Sequence, residues 1–160
     1  IGVDYLKKNI SINGKEFQLR IYDTAGQEKF DSITKAQLHN SNGVIIVFDL
    51  SKRDSFANLE KWINMVNETN IPNIQMVLVG NKSDLDHVVE NEEANVFAYD
   101  HGNIGYFETS AKDNTNIAEV FNHITSISEE YLKLCTQDGD IHVQDKKKQE
   151  VKEQDGKNCC

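Results

Sequence analysis
The chain has 160 residues, 38% of them hydrophobic and 27% charged, with a net charge of −9. That length supports one domain with a sizeable core, and the acidic balance argues against non-specific nucleic-acid binding. No apolar run is long enough to span a bilayer and no signal peptide precedes the first expected strand.

Residues 3–12 and 16–22 read as two strands joined by Asn13-Gly14, a dipeptide suited to the positive φ angles of a tight hairpin turn. The second of them runs directly into Asp23-Thr24-Ala25-Gly26-Gln27-Glu28. An aspartate and a glycine at the end of an apolar strand put a carboxylate and a free N–H at the carboxyl edge of a sheet, where open α/β sheets bind ligands. Asp23 suits a phosphate-bound Mg²⁺ through a water, and the Gly26 N–H suits a terminal phosphate oxygen. Gln27 can orient an attacking water without ionising.

Residues 44–48 and 76–79 are unbroken apolar runs, the pattern of strands buried on both faces. Between them Phe56, Leu59, Ile63 and Val66 recur at helical spacing after an expected cap at Asp54. Asn81-Lys82-Ser83-Asp84 follows the strand at 76–79. A carboxylate there can accept from the N1–H and exocyclic amine of guanine, a donor pair that adenine lacks. The Lys82 stem can lie over a base plane, and Asn81 can tie neighbouring loops. Asn91-Glu92-Glu93 opens a helix expected to stop at Gly102.

Tyr106-Phe107 marks a last short strand, followed by Glu108-Thr109-Ser110-Ala111-Lys112. This loop can offer the Ala111 N–H to guanine O6; an amino-purine would leave that donor unpaired, a costly mismatch in a dry site. Asn116 with Glu119 forms a candidate capping box ahead of an amphipathic helix through Ile117, Val120, Phe121, Ile124, Ile127 and Tyr131. The pattern fades after about Leu134, and residues 136–158 read as a polar, disordered tail. Alternating strands and helices imply an α/β fold, mostly parallel, with helices on both faces.

Three loops in this order, each at a strand's carboxyl end, resemble those of the Ras-like small GTPases, and most closely the Rab branch. The resemblance covers residues 1 to about 134 and the last two cysteines. Ile1-Gly2-Val3-Asp4-Tyr5 looks like the Rab signature at the end of the first switch. The resemblance implies GTP/GDP and Mg²⁺ as ligands. Asp23 would hold the metal through water, with Thr24, Ala25 and Gly26 at the phosphates and Gln27 as the catalytic residue. Asn81, Lys82, Asp84, Ser110, Ala111 and Lys112 would grip the guanine. The expected domains are a partial GTPase domain at 1–134 and a hypervariable tail at 135–160.

Cys159-Cys160, ending the sequence with nothing after them, read as a double prenylation site: two lipids anchor stably where one does not. The expected location is the cytoplasmic face of intracellular membranes, in exchange with cytosol. Implied partners are Rab effectors, an exchange factor, a GTPase-activating protein, the prenylation escort machinery, a GDP-dissociation inhibitor and the membrane itself, but no nucleic acid. The implied role is a switch in vesicle trafficking, with a non-hydrolysing interaction fragment as the alternative and a Ras- or Rho-type signalling GTPase as the weaker third reading.

Several departures from the family pattern carry consequences. The phosphate loop G-x-x-x-x-G-K-[ST] occurs nowhere in these residues, and the Mg²⁺-binding first-switch threonine should lie just before Ile1. Lys35-Ala36-Gln37-Leu38-His39 stands where Rab proteins typically carry paired tyrosines, with Tyr22 in the usual tryptophan position. The expectation is an N-terminally truncated Ras-like fold lacking its first strand and first helix. That strand would lie between the strands at 16–22 and 44–50. Two exposed strand edges favour aggregation, so the chain alone is expected to fold poorly and to bind GTP weakly or not at all. Trp62 is expected to be core or half-buried, Asp49 to be structural, and His39, His87, His101, His123 and His142 to be ordinary surface histidines without metal spacing.

Overall fold
A computed structural model describes residues 5–24, 36–72 and 74–137, with side chains through Glu130. Strands β1 (Tyr5–Ile12) and β2 (Lys15–Tyr22) form an antiparallel hairpin. Asn13 and Gly14 turn it with φ of 52° and 76°, the doubly positive geometry that the sequence calls for. Strands β3 (Gly43–Asp49), β4 (Gln75–Asn81) and β5 (Gly105–Thr109) form a parallel sheet in the order β3-β4-β5.

Helices cover both faces of that sheet. Helices α1 (Arg53–Ala57), α2 (Leu59–Glu68) and α3 (Asn91–Asp100) pack Phe56, Leu59, Ile63, Ala94 and Ala98 against Ile46, Phe48 and Leu78. Helix α4 (Ile117–Gln137) packs Val120 and Ile124 against Val77 and Val79 on the other face. The alternation of Val77, Leu78 and Val79 between the two clusters is the period-2 pattern of a strand buried on both sides. The Ras-like α/β architecture expected from the sequence is the one observed.

Four local details differ from the sequence reading. The helix expected to run from Asp54 is broken at Asn58, which closes α1 and precedes α2. Phe56, Leu59 and Ile63 still reach one core, so their spacing could not reveal the break. Lys52, not Asp54, caps α1, and Asp54 lies in its first turn. Asn116 has φ of 56° and its amide donates to Glu108 O at 2.8 Å, so it serves the sheet edge instead of forming a capping box, which needs an extended cap residue. Helix α4 continues to Gln137, past Leu134.

β2 and β3 are not paired: they belong to separate sheets, and among the described residues each has an edge without a strand partner. Between them lies a cleft of about 1520 Å³, with Leu19, Ile21, Ile45, Val47, Trp62 and Ile124 among its walls. Val47 is 55% exposed, whereas Val79, its partner in register, is 5% exposed. The resemblance placed the family's first strand at this position. The ion pair Lys15–Glu129, 2.7 Å, links the hairpin to α4.

Candidate guanine-base site
The parallel register aligns the ends of three strands: Asp49 pairs with Asn81, and Asn81 with Thr109. Residues beyond those ends therefore share one edge, the carboxyl edge, where ligands meet such sheets. The Asn81 loop and the Thr109 loop are tied by backbone, since Ser83 N–H donates to Thr109 O at 2.9 Å. Asn81 Oδ1 accepts from Thr109 Oγ1 (3.2 Å) and from the Ala111 N–H (3.1 Å). Ser110 Oγ donates to Asp84 Oδ1 at 2.7 Å and accepts from the Asp113 N–H at 3.1 Å. The Lys112 ammonium lies 3.6 Å from Asp84 Oδ2.

Asn81, Asp84, Ser110, Ala111 and Lys112 thus form one cluster, while Lys82, in the same loop, pairs its ammonium with Asp49 instead. Ser110 is almost wholly buried, while Lys112 stays 75% exposed. A loose pair to so exposed a lysine holds little, which leaves Asp84 Oδ2 open to an incoming pair of N–H donors. The Ala111 amide already donates to Asn81 Oδ1, so a base carbonyl must share that N–H or displace the Asn81 oxygen.

Asp23 and Thr24 are not in this cluster. They follow β2 in the other sheet, exposed, at the rim of the β2–β3 cleft. Ala25, Gly26, Gln27, Cys159 and Cys160 lie outside the described residues, as do Ile1 to Asp4 and 138–160.

A sequence model of the Ras family matches residues 1–130. The chain belongs to the Ras family. It is 42% identical over 123 residues to the Ras-related protein Rab-1D of Dictyostelium discoideum, a match covering 76% of this chain and 60% of that relative. The likeness marks it as a Rab-type member, and the chain spans about 60% of that relative's length.

In this Ras-family site the charges are set locally. The Ser110 hydroxyl, with smaller help from the Asp84 amide and Lys112, holds the Asp84 carboxyl below its usual range against the opposing effect of burial. Asp84 is therefore a hydrogen-bond acceptor at neutral pH. Burial and then the Glu108 carboxylate push the Tyr106 phenol up, so it remains the donor to Glu108 Oε1 at 3.2 Å. Gly80 explains the tight approach there: a Cβ would meet Tyr106 Oη at 2.8 Å and Leu50 Cδ2 at 2.9 Å.

Sequence reasoning set Asp49 aside as structural, yet its Oδ2 lies 2.8 Å from the Lys82 ammonium. The signal that exposed Asp23, a carboxylate closing an apolar strand, was equally present at Asp49. Burial alone would raise this carboxyl; hydrogen bonds from Lys82 and Ser51 outweigh it and hold the pKa at about 2. The folded pKa is below the ordinary 3.8, so the stabilisation is complete above that value and is lost as pH falls through 2. Asp49→Asn should flatten the acid side of the stability curve by about 1 kcal/mol, since the half-exposed lysine is partly screened. Urea unfolding between pH 2 and 6 reads this directly.

Proposed function
We propose that this chain contributes the guanine-selecting part of a Rab-type GTP/GDP switch acting in vesicle trafficking. The observation that carries the reading is the convergence of Asp84, Ser110 and Lys112 with Asn81 and Ala111 at one sheet edge. The two oxygens of Asp84 match the two adjacent N–H groups of guanine, and the stem of Lys82 offers an apolar wall to the ring.

In the whole protein, GTP hydrolysis adds water to the γ-phosphorus and releases GDP and phosphate. Gln27 would orient that water, and Thr24, Ala25 and Gly26 would serve the phosphates. Asp23, a single exposed carboxylate after β2, suits a water-mediated hold on Mg²⁺, which supplies charge neutralisation at the phosphates. Among the described residues no group of three or more His, Cys, Asp or Glu forms a metal cage. Residues 1–134 act as the partial GTPase domain, and 135–160 as a tether to lipids on Cys159 and Cys160. The protein would work on the cytoplasmic face of an internal membrane, cycling with cytosol through the exchange, activating, escort and dissociation-inhibitor proteins of its family. No described helix is long and apolar enough to cross a membrane.

The alternative reading is a non-hydrolysing interaction fragment. The base-binding part of the proposal is tested on the chain by NMR with millimolar GDP or ADP. GDP should shift the amides of 81–84 and 110–112; ADP should leave them in place. Equal responses to both nucleotides would remove the guanine assignment.

A further inference from the structure
Asp49 closes β3 and is locked from several sides. Its Oδ1 accepts from the Ser51 N–H (2.9 Å) and the Ser51 hydroxyl (2.6 Å), and its own N–H donates to Ser55 Oγ at 2.9 Å. The remaining oxygen, Oδ2, faces the Lys82 ammonium at 2.8 Å. Asp49 is mostly buried while Lys82 is half-exposed. Lys82 itself sits at φ of 67°, the left-handed region that a side-chain-bearing residue holds only when its surroundings over-determine it.

These observations fix both ends of one lysine. The backbone is pinned beside β4, where Leu50 N–H donates to Asn81 O at 2.9 Å, and the ammonium is pinned to the end of β3. We infer that Asp49 is a positioning residue, which anchors the Lys82 ammonium so that the lysine stem stands as a fixed wall for the purine face. The inference rests on the base-binding reading above. A free lysine stem would lose rotamer freedom each time a base stacked on it; a stem held in advance has already lost that freedom in folding. A merely solvated ion pair would contribute little and leave the stem mobile.

The ligand-free 160-residue chain, labelled with ¹³C in its lysines, gives the first readout: the NMR order parameter of the Lys82 ε-carbon. It should fall in Asp49→Asn and stay unchanged in Glu93→Gln, which breaks only the outlying Arg53–Glu93 pair. Should Asp49→Asn fail to fold, Ser51→Ala loosens the same carboxylate without removing its charge, and an intermediate fall is expected. The second readout is affinity for GDP, which should drop roughly three- to tenfold in Asp49→Asn and show no further drop when Lys82→Ala is already present. An unchanged Lys82 order parameter overturns the proposal, as does an equal affinity loss with and without Lys82. If the order parameter falls but GDP and ADP shift the amides of 81–84 and 110–112 equally, the anchor is upheld and the base-binding reading fails.

Discussion

Asp84→Asn is expected to turn the base site from guanine toward xanthine. The carboxylate offers two acceptors, matching the N1–H and amine of guanine. An asparagine offers one acceptor and one donor, matching the N1–H and C2 carbonyl of xanthine. Ser110 Oγ, 2.7 Å from Asp84 Oδ1, can still donate to the amide oxygen, so the side chain should keep its place. Losing a charge-assisted acceptor and facing the guanine amine with an N–H should cost about 3 kcal/mol, or roughly a hundredfold in affinity. Titrations of wild type and variant with GDP and xanthosine diphosphate give the comparison. An unaltered preference would mean that Asp84 does not read the base.

Leu50→Ala should be the most damaging single truncation beneath the site. Leu50 is fully buried in the core shared by β3, β4 and α1–α3, and its side chain closes against Gly80. Its backbone donates to Asn81 O (2.9 Å) and accepts from the Val88 N–H (2.9 Å). Those bonds survive the substitution, but the side chain that presses β3 against the start of the Asn81 loop does not. The cavity should lower stability by about 3 kcal/mol, measured by urea unfolding. The amide signals of Asn81 and Lys82 should shift with it. Stability within 1 kcal/mol of wild type would show that the region relaxes into the space, a limit set by the usual range for such truncations.

Much of this was legible because local chemistry and tertiary placement agree. Asn13-Gly14 specifies its turn, and the apolar runs at 44–48 and 76–79 are central strands with helices on both faces. The base cluster was legible for the same reason: strand ends in register bring their following loops together. Trp62 is half-buried between two apolar clusters, as its position on a helix suggested. What escaped were features that depend on partners distant in sequence. The break at Asn58 leaves helical periodicity intact. The bond from Asn116 to Glu108, and the meeting of Asp49 with Lys82, exist only once the parallel sheet has formed. The requirement for glycine at position 80 likewise comes from Tyr106 and Leu50, brought in by other elements.

The β2–β3 cleft links this reading to behaviour in solution. Two open strand edges with apolar walls are a template for pairing with other chains, and the walls here are visible in Val47, Ile45 and Leu19. The hydrogen bonds that hold Asp84 to Ser110 and Asn81 to Ala111 involve no residue of that cleft. The proposed base selection and completion of the sheet therefore draw on different residues, so guanine preference can be sought on the chain at high nucleotide concentration even where overall affinity is weak.

A crystal structure of the chain grown with GDP is the most direct measurement. Guanine should lie with N1 and its amine on the Asp84 carboxylate, its ring along the Lys82 stem and O6 at the Ala111 N–H. A nucleotide bound elsewhere, with Asp84 still engaged only by Ser110 and Lys112, would contradict the account.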